Sequence, residues 1–282
     1  MTPTTWIDRS VAAGVAAGLA VLAWGWGFKL PWAVALWPWA EAPMSHVLLA
    51  AIAAGMAVVW AALARSGDAG GWVGMGLYFI TSGTLMATYL GQRSVHQAGL
   101  GGPLLWAAAL LLLGILALRT GRRARAAPGP ALTPLVRGSF IAFAVVLLAS
   151  GLALVLHWPA VLPWRPQPPT ASLIGGLFIG AAAYYAHEAR RSRWSSGGPA
   201  LAGFLAYDLV LAVPYVRLLF AAPAALADDY GGAPDAAVNM TSLVVYLVVI
   251  VASAGVALWA FLVDPRTRCW RRREDRQELV RK

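Results

Sequence analysis

The sequence predicts an all-α integral membrane protein: a bundle of about eight transmembrane helices, arranged as two parallel four-helix repeats. The composition is 60% hydrophobic and 12% charged, whereas soluble domains have about 25% charged residues. Apolar runs of about 20 residues recur along the chain, the length that crosses about 30 Å of hydrocarbon. Two W-x3-L-P-W motifs, starting at Trp26 and Trp158, each follow an apolar run. Their shared spacing indicates an internal repeat.

Eight apolar runs are predicted as spanning helices. The first lies behind a single basic residue, Arg9, and has no small-residue cleavage site. We therefore interpret it as a retained helix and not as a signal peptide. The predicted spans cover about 11–28, 46–65, 71–91, 102–119, 138–157, 171–190, 199–221 and 240–263.

The two halves are predicted to join at a linker rich in Pro, Gly and Ala, which we interpret as flexible. The predicted parts are a first repeat, a cytoplasmic linker, a second repeat and a basic cytoplasmic tail, at 1–125, 126–137, 138–265 and 266–282. Further matches between the halves support the duplication. Gly74-x3-Tyr78 matches Gly203-x3-Tyr207, and Pro43-Met-Ser matches Pro169-Thr-Ala.

The distribution of basic residues predicts the orientation. If the N-terminus is cytoplasmic, 18 of the 22 Lys and Arg residues fall on the cytoplasmic side. This bias predicts that both termini are cytoplasmic. The net charge of +10 is thus an orientation signal, and we expect the lipid bilayer as partner and no nucleic acid.

The seventh predicted span carries the only acidic residue in mid-membrane, Asp208. A carboxylate at that depth costs roughly 2.5–3.5 kcal/mol, so it should face the bundle and find a partner. The third span, rich in hydroxyl groups, is expected to supply that partner. Asp208 is interpreted as a proton carrier or ligand contact, or alternatively as a structural acid. The candidate ligand-binding residues are Asp208, Tyr207, Tyr215, Tyr78, Thr81 and Ser82.

In the repeat alignment, the residue equivalent to Asp208 is Phe79. The acid is therefore an addition of the second half and not part of the repeated scaffold. The hydroxyl groups of the third span have a second interpretation, because such side chains often bond to their own helix or join neighbouring helices.

An aromatic layer is predicted at the outer side of the membrane. Its interpretation is an interfacial belt, or alternatively a platform for a haem, a quinone or a lipid. Residues 32–39 are expected to form a short helix lying on the membrane. The layer is formed by Trp26, Trp32, Trp39, Trp158 and Trp164.

The histidines do not favour a buried haem, because none lies in mid-span. An outer metal or haem site at His46, His96 and His157 stays an alternative, and no cofactor is predicted. Near the inner end of the sixth span, His187 and Glu188 predict an ion-pair cluster with the arginines that follow. No nucleophile motif, metalloprotease motif or phosphate loop is present, which favours a non-enzymatic protein without deciding the point.

Trp37-Pro38-Trp39 followed by Pro43-Met44-Ser45, and Pro169-Thr170-Ala171 leading to Ile174-Gly175-Gly176, resemble a pattern in uncharacterised polytopic inner-membrane proteins of GC-rich bacteria. The resemblance implies a location in the bacterial cytoplasmic (inner) membrane and carries no activity with it.

The leading functional hypothesis is a membrane protein that binds or passes a small apolar or weakly polar molecule, proton-linked through Asp208. One alternative is a scaffold, assembly factor or accessory subunit. It would form homo- or hetero-oligomers through small-residue faces such as Gly14-x3-Gly18. The second alternative is handling of haem or metal at the outer face. A cavity that reaches Asp208 would favour the first hypothesis, and a packed interior the scaffold.

Overall fold

The structure is a computed structural model that describes residues 4–37, 43–93, 101–158, 161–220 and 239–267. These residues form nine α-helices, of which α2 is short, and α9 continues into a π-helical turn. In chain order the helices are α1 (Trp6–Gly27), α2 (Pro31–Leu36), α3 (Pro43–Ser66), α4 (Ala69–Arg93), α5 (Gly101–Arg123), α6 (Pro134–Val155), α7 (Pro168–Arg191), α8 (Trp194–Phe220) and α9 (Met240–Leu258).

The predicted fold class is confirmed. Each predicted span corresponds to one of the eight long helices, and seven of these are long and apolar enough to cross a membrane. The eighth, α7, has 24 residues but is rich in Gly, Ala and Tyr, and most of its length is buried. The short helix α2 confirms the helix expected after the first span.

Side chains before the helices determine where several of them begin. Thr5 and Asp8 form a capping box at α1, in which the hydroxyl and the carboxylate each accept a backbone N–H. Thr133 caps α6 and is followed by Pro134 at the first helical position. Asn239 caps α9 by accepting from the Ser242 N–H.

The C-termini of α1 and α6 have the same geometry. Lys29 and His157 adopt φ values of 53° and 57°, and the residue after each donates its N–H to a carbonyl five residues back. This is the Schellman cap. The cap leaves Trp26 inside α1 and Trp158 beyond the end of α6, so these two tryptophans are not structural equivalents.

The helices pack in pairs that correspond between the halves. In the first half α1 packs on α3 and α4 on α5, and in the second half α6 packs on α7 and α8 on α9. Across the halves α3 packs on α8 and α4 on α7. Exchanging the halves converts each of these contacts into another, as a duplication predicts.

Glycines permit the close approach of α3 and α8. A β-carbon at Gly55 would lie 2.8 Å from the carbonyl oxygen of Gly203, and one at Gly203 would lie 2.7 Å from that of Gly55. Small residues bring membrane helices close enough for dispersion contacts, which drive association in lipid. Gly74, the predicted counterpart of Gly203, lies in the other contact between the halves, where α4 packs on α7, and is next to Tyr184.

Two reciprocal hydrogen bonds join the halves at the end of the bundle where α3, α7 and α9 begin, which we call the tryptophan end. The indole of Trp37 donates to Thr170 Oγ1 of α7 at 3.2 Å. The indole of Trp164 donates to Ser45 Oγ of α3 at 3.0 Å. Trp164 thus corresponds to Trp37 and not to Trp32, and Thr170 corresponds to Ser45. The segment that corresponds to Pro43-Met-Ser therefore begins at Pro168, one residue earlier than predicted.

The linker at the opposite end, which we call the basic end, is held in place. Asp68 Oδ1 accepts from the Ala127 N–H at 2.6 Å, while Asp68 Oδ2 accepts from the Gly71 N–H at 3.1 Å. The Leu132 N–H donates to Ser192 O. Backbone groups of this Pro/Gly/Ala segment thus have hydrogen-bond partners that its composition does not reveal, while its flexibility stays a prediction.

Candidate functional site

A cavity with an acidic residue in its lining lies in the second half of the bundle. It has a volume of about 410 Å³ and lies between α6, α8 and α9, with Phe178 of α7 behind it. The gap between α6 and α9 faces the lipid, since Val146 and Val245 on its two sides are 48% and 55% exposed. We call it the Asp208 cavity, because Asp208 is the acidic residue in its lining.

Aromatic rings form much of its wall. Phe143 and Phe204 lie with their ring centroids 4.4 Å apart, and the rings of Phe204 and Tyr207 are stacked at 5.6 Å. Tyr246 of α9 completes this set. The cavity therefore offers an apolar, partly aromatic surface with few polar groups, as sites for small molecules commonly do.

Asp208 is buried and has one hydrogen-bond partner, which comes from α9. The Ser253 hydroxyl donates to Asp208 Oδ2 at 2.5 Å, while Asp208 Oδ1 has no protein partner among the described residues. The expectation that the third span supplies this partner is wrong. The α8 helix packs on α3 and α9 and only slightly on α4, so Asp208 faces α9.

The serine connects the acid to the backbone of α9. Ser253 Oγ lies 2.5 Å from Asp208 Oδ2 and 2.7 Å from the carbonyl oxygen of Val249. A hydroxyl has one proton, so it can donate to only one of these acceptors at a time. The hydroxyl therefore has two competing acceptors, Asp208 and the backbone of its own helix.

The predicted ligand-binding residues do not all meet at this cavity. Asp208 and Tyr207 line it, and Tyr207 also borders a central apolar cavity of about 80 Å³ that includes Tyr78. Tyr215 is fully buried and packs against Tyr246 and Trp164 nearer the tryptophan end.

The two α4 hydroxyls have other roles. Ser82 donates to Gly176 O at 3.2 Å and joins α4 to α7, which agrees with the alternative that these side chains join neighbouring helices. Thr81 lines a separate groove beside α6 and α7.

The first half has a smaller cavity that is lined by tryptophans. It has a volume of about 110 Å³ and lies between α1, α3, α4 and α5, with Phe79, the residue equivalent to Asp208, in its lining. Trp26, Trp37 and Trp106 cluster there with ring centroids 6.0–6.5 Å apart. The two halves therefore differ here: the second has a cavity of about 410 Å³ with an acid in its lining, and the first has a smaller apolar cavity lined by indoles.

The predicted aromatic layer divides into buried and exposed members. Trp26 and Trp164 are buried and donate hydrogen bonds to Ala33 O and Ser45 Oγ. Trp32 and Trp158 are exposed, at 46% and 66%, as an interfacial belt requires. Trp39 lies outside the described residues.

Two of the three histidines of the predicted outer site, His46 and His157, lie within the described residues. His46 is buried in the first turn of α3. His157, in the cap of α6, is 3.0 Å from Ser172 Oγ. His96 lies outside the described ranges, and within those ranges no three His, Cys, Asp or Glu residues group closely enough to hold a metal.

At the basic end, Glu188 is fully buried beside Gly74, and its oxygens have no hydrogen-bond partner in the described chain. The predicted ion-pair cluster of Glu188 with its arginines is not formed by the described residues. The side chain of Arg191 instead lies against Gly70. Sequence reasoning missed Asp68 and Ser253, because a serine in an apolar helix and an acid in a short turn have no distinctive pattern.

The fold and the cavity define the class: an all-α integral membrane protein with a lipid-facing cavity in one of two similarly packed halves. Comparison with known proteins adds no family, since no family model, curated protein or solved structure matches this chain.

Proposed function

We propose that this protein binds or passes a small, mainly apolar molecule in the Asp208 cavity, and that Asp208 is its polar contact. One observation carries the proposal: a buried carboxyl oxygen that has no partner among the described residues, on a residue that lines an otherwise largely apolar cavity. Buried polar atoms normally have a hydrogen-bond partner. A ligand that carries a hydrogen-bond donor would supply it.

The difference between the halves supports this proposal. A purely structural bundle has no need for the second copy to keep a cavity of about 410 Å³ where the first has one of about 110 Å³, lined by Trp26, Trp37 and Trp106. The opening between α6 and α9 lets a molecule enter sideways from the bilayer, where apolar compounds concentrate. We also propose that the protein belongs to the bacterial inner membrane, with both termini in the cytoplasm.

The test compares two probes that differ in one donor: 1-decanol and methyl decyl ether. We expect 1-decanol to raise the Tm of the purified wild-type protein in detergent and the ether to have little effect. Asp208→Leu should lose the 1-decanol shift because it removes the acceptor. Ser253→Ala is the matched control, since it removes the hydrogen bond to Asp208 but keeps the carboxyl group itself.

An equal 1-decanol shift in wild type and Asp208→Leu would contradict the proposal and leave Asp208 as a structural acid. The proton link is tested by the pH dependence of the same shift. We expect that dependence in wild type and not in Asp208→Asn, which cannot exchange a proton. A Soret band or stoichiometric metal in the purified protein would instead favour a haem or metal site at the histidines.

A second candidate function, a scaffold or accessory subunit, is supported by the outer face of α1. Gly14 and Gly18 are exposed, and a β-carbon on either would meet no atom within 4 Å. These glycines are therefore not needed for a close contact with another described helix. Small residues on an exposed helix face would instead allow the close approach of a partner helix. Loss of oligomers or of a co-purifying subunit in Gly14→Leu/Gly18→Leu would favour this function.

A further inference from the structure

A second groove lies on the face of α6 that is opposite to the Asp208 cavity. It has a volume of about 500 Å³ and runs between α6 and α7 toward the basic end. Its walls are almost entirely apolar and include Ile141, Val145 and Leu148 of α6 and Ile179, Ala183 and Ala186 of α7.

Two arginines stand at one end of this groove. Arg137 lies near the start of α6 and Arg190 near the end of α7, and both are exposed. None of the residues that line the groove is acidic. The groove thus has a positive rim at the basic end and an apolar interior.

The length of the groove matches one leaflet of a bilayer. Eleven residues separate Arg137 from Leu148 on α6, and eleven separate Ile179 from Arg190 on α7. At 1.5 Å per residue this is about 16 Å, roughly half of the ~30 Å hydrocarbon core. Thr81 of α4 also lines the groove.

We propose that this groove binds a phospholipid with an anionic headgroup from the leaflet at the basic end. Its phosphodiester lies between Arg137 and Arg190, and one acyl chain follows the apolar walls. The planar guanidinium of arginine suits phosphate oxygens, and basic pockets between transmembrane helices bind anionic headgroups. This site is separate from the Asp208 cavity and does not depend on the function proposed for it.

The headgroup is tested with phosphatidylglycerol and phosphatidylcholine of identical chains, added to the purified full-length protein in detergent. We expect phosphatidylglycerol to raise Tm more than phosphatidylcholine, and Arg137→Gln/Arg190→Gln to lower this difference by at least half. Arg119→Gln/Arg122→Gln is the matched control, because it removes two exposed charges at the same end, on α5. Equal losses in both double variants would overturn the proposal.

The acyl chain is tested separately, because charge alone would attract an anionic lipid to the bilayer surface. Ala186→Leu fills the groove without changing charge, and should weaken the phosphatidylglycerol effect by at least half. Ala142→Leu, also exposed on a helix but outside the groove lining, should leave the effect unchanged. A full effect in Ala186→Leu would show that the headgroup binds without the groove, and the proposal would fail.

Discussion

At the residue scale, the pair formed by Asp208 and Ser253 determines what the interior of the second half can do. The acid stands where the first half has Phe79, and its hydrogen bond at 2.5 Å comes from a helix that sequence reasoning did not connect to it. Removing one partner of a buried polar pair leaves the other unsatisfied, whereas removing both can be nearly neutral. The pair can therefore be dissected by a double-mutant cycle.

We predict that Ser253→Ala lowers the free energy of unfolding by about 1–3 kcal/mol, because it removes the hydrogen-bond partner of a buried carboxyl group. The double variant Asp208→Leu/Ser253→Ala should lose less than Ser253→Ala alone. Unfolding in detergent, followed by tryptophan fluorescence, measures both.

A double variant that loses the sum of the two single variants would show that the two side chains act independently. Asp208 would then be held in the cavity by its surroundings and not by the serine.

At the scale of helices, the halves are joined by small residues in mid-bundle and by tryptophans at one end. Gly55 and Gly203 bring α3 and α8 into backbone contact. Trp37 donates to the first turn of α7, and Trp164 donates to the first turn of α3. Because these bonds are reciprocal, they fix α3 and α7 at the same height in the membrane.

We predict that Trp37→Phe and Trp164→Phe each lower the free energy of unfolding by about 1 kcal/mol, the net value of one hydrogen bond. Trp37→Phe/Thr170→Val should cost less than the sum of its single changes, because the two residues share the bond. Urea or SDS unfolding curves at constant detergent give these values.

Trp32→Phe is the control, since Trp32 is 46% exposed at the same end of the bundle. A change there within about 0.5 kcal/mol is expected for a surface position. Comparable losses in all three variants would mean that ring size and not the hydrogen bond is responsible.

At the scale of the whole molecule, the distribution of charge predicts how the bundle sits in the membrane. The basic end holds the linker and the ends of α3, α5 and α7, with Arg65, Arg123 and Arg191 near their termini. The opposite end has the exposed indoles of Trp32 and Trp158. The positive-inside rule predicts that the basic end faces the cytoplasm.

We predict that a cysteine at the basic end is protected from a membrane-impermeant maleimide in intact spheroplasts, and that one at the tryptophan end is labelled. In a Cys269→Ser background, Ala126→Cys and Arg165→Cys are suitable because both positions are exposed. Lysis should make Ala126→Cys reactive, which serves as its own control. The reverse labelling pattern would place both termini outside.

Local composition and periodicity were sufficient to predict the eight long helices, since runs of about 20 apolar residues have few alternatives to a membrane span. The sequence also predicted correctly that Gly74 and Gly203 correspond, because each half needs a small residue where its helix contacts the other half. The W-x3-L-P-W motifs were less reliable. Their spacing is shared, but the cap at His157 ends α6 before Trp158, whereas Trp26 lies inside α1.

The sequence by itself determined the membrane class, the number of long helices and the presence of one acid in mid-span, because hydropathy and charge are properties of the chain. Only the tertiary structure decided that Ser253 is the partner of Asp208, that Asp68 holds the linker, and that the second half has the larger cavity while tryptophans line the smaller one of the first half. Those contacts join residues far apart in the chain, and they depend on which helix faces turn toward each other in the packed bundle.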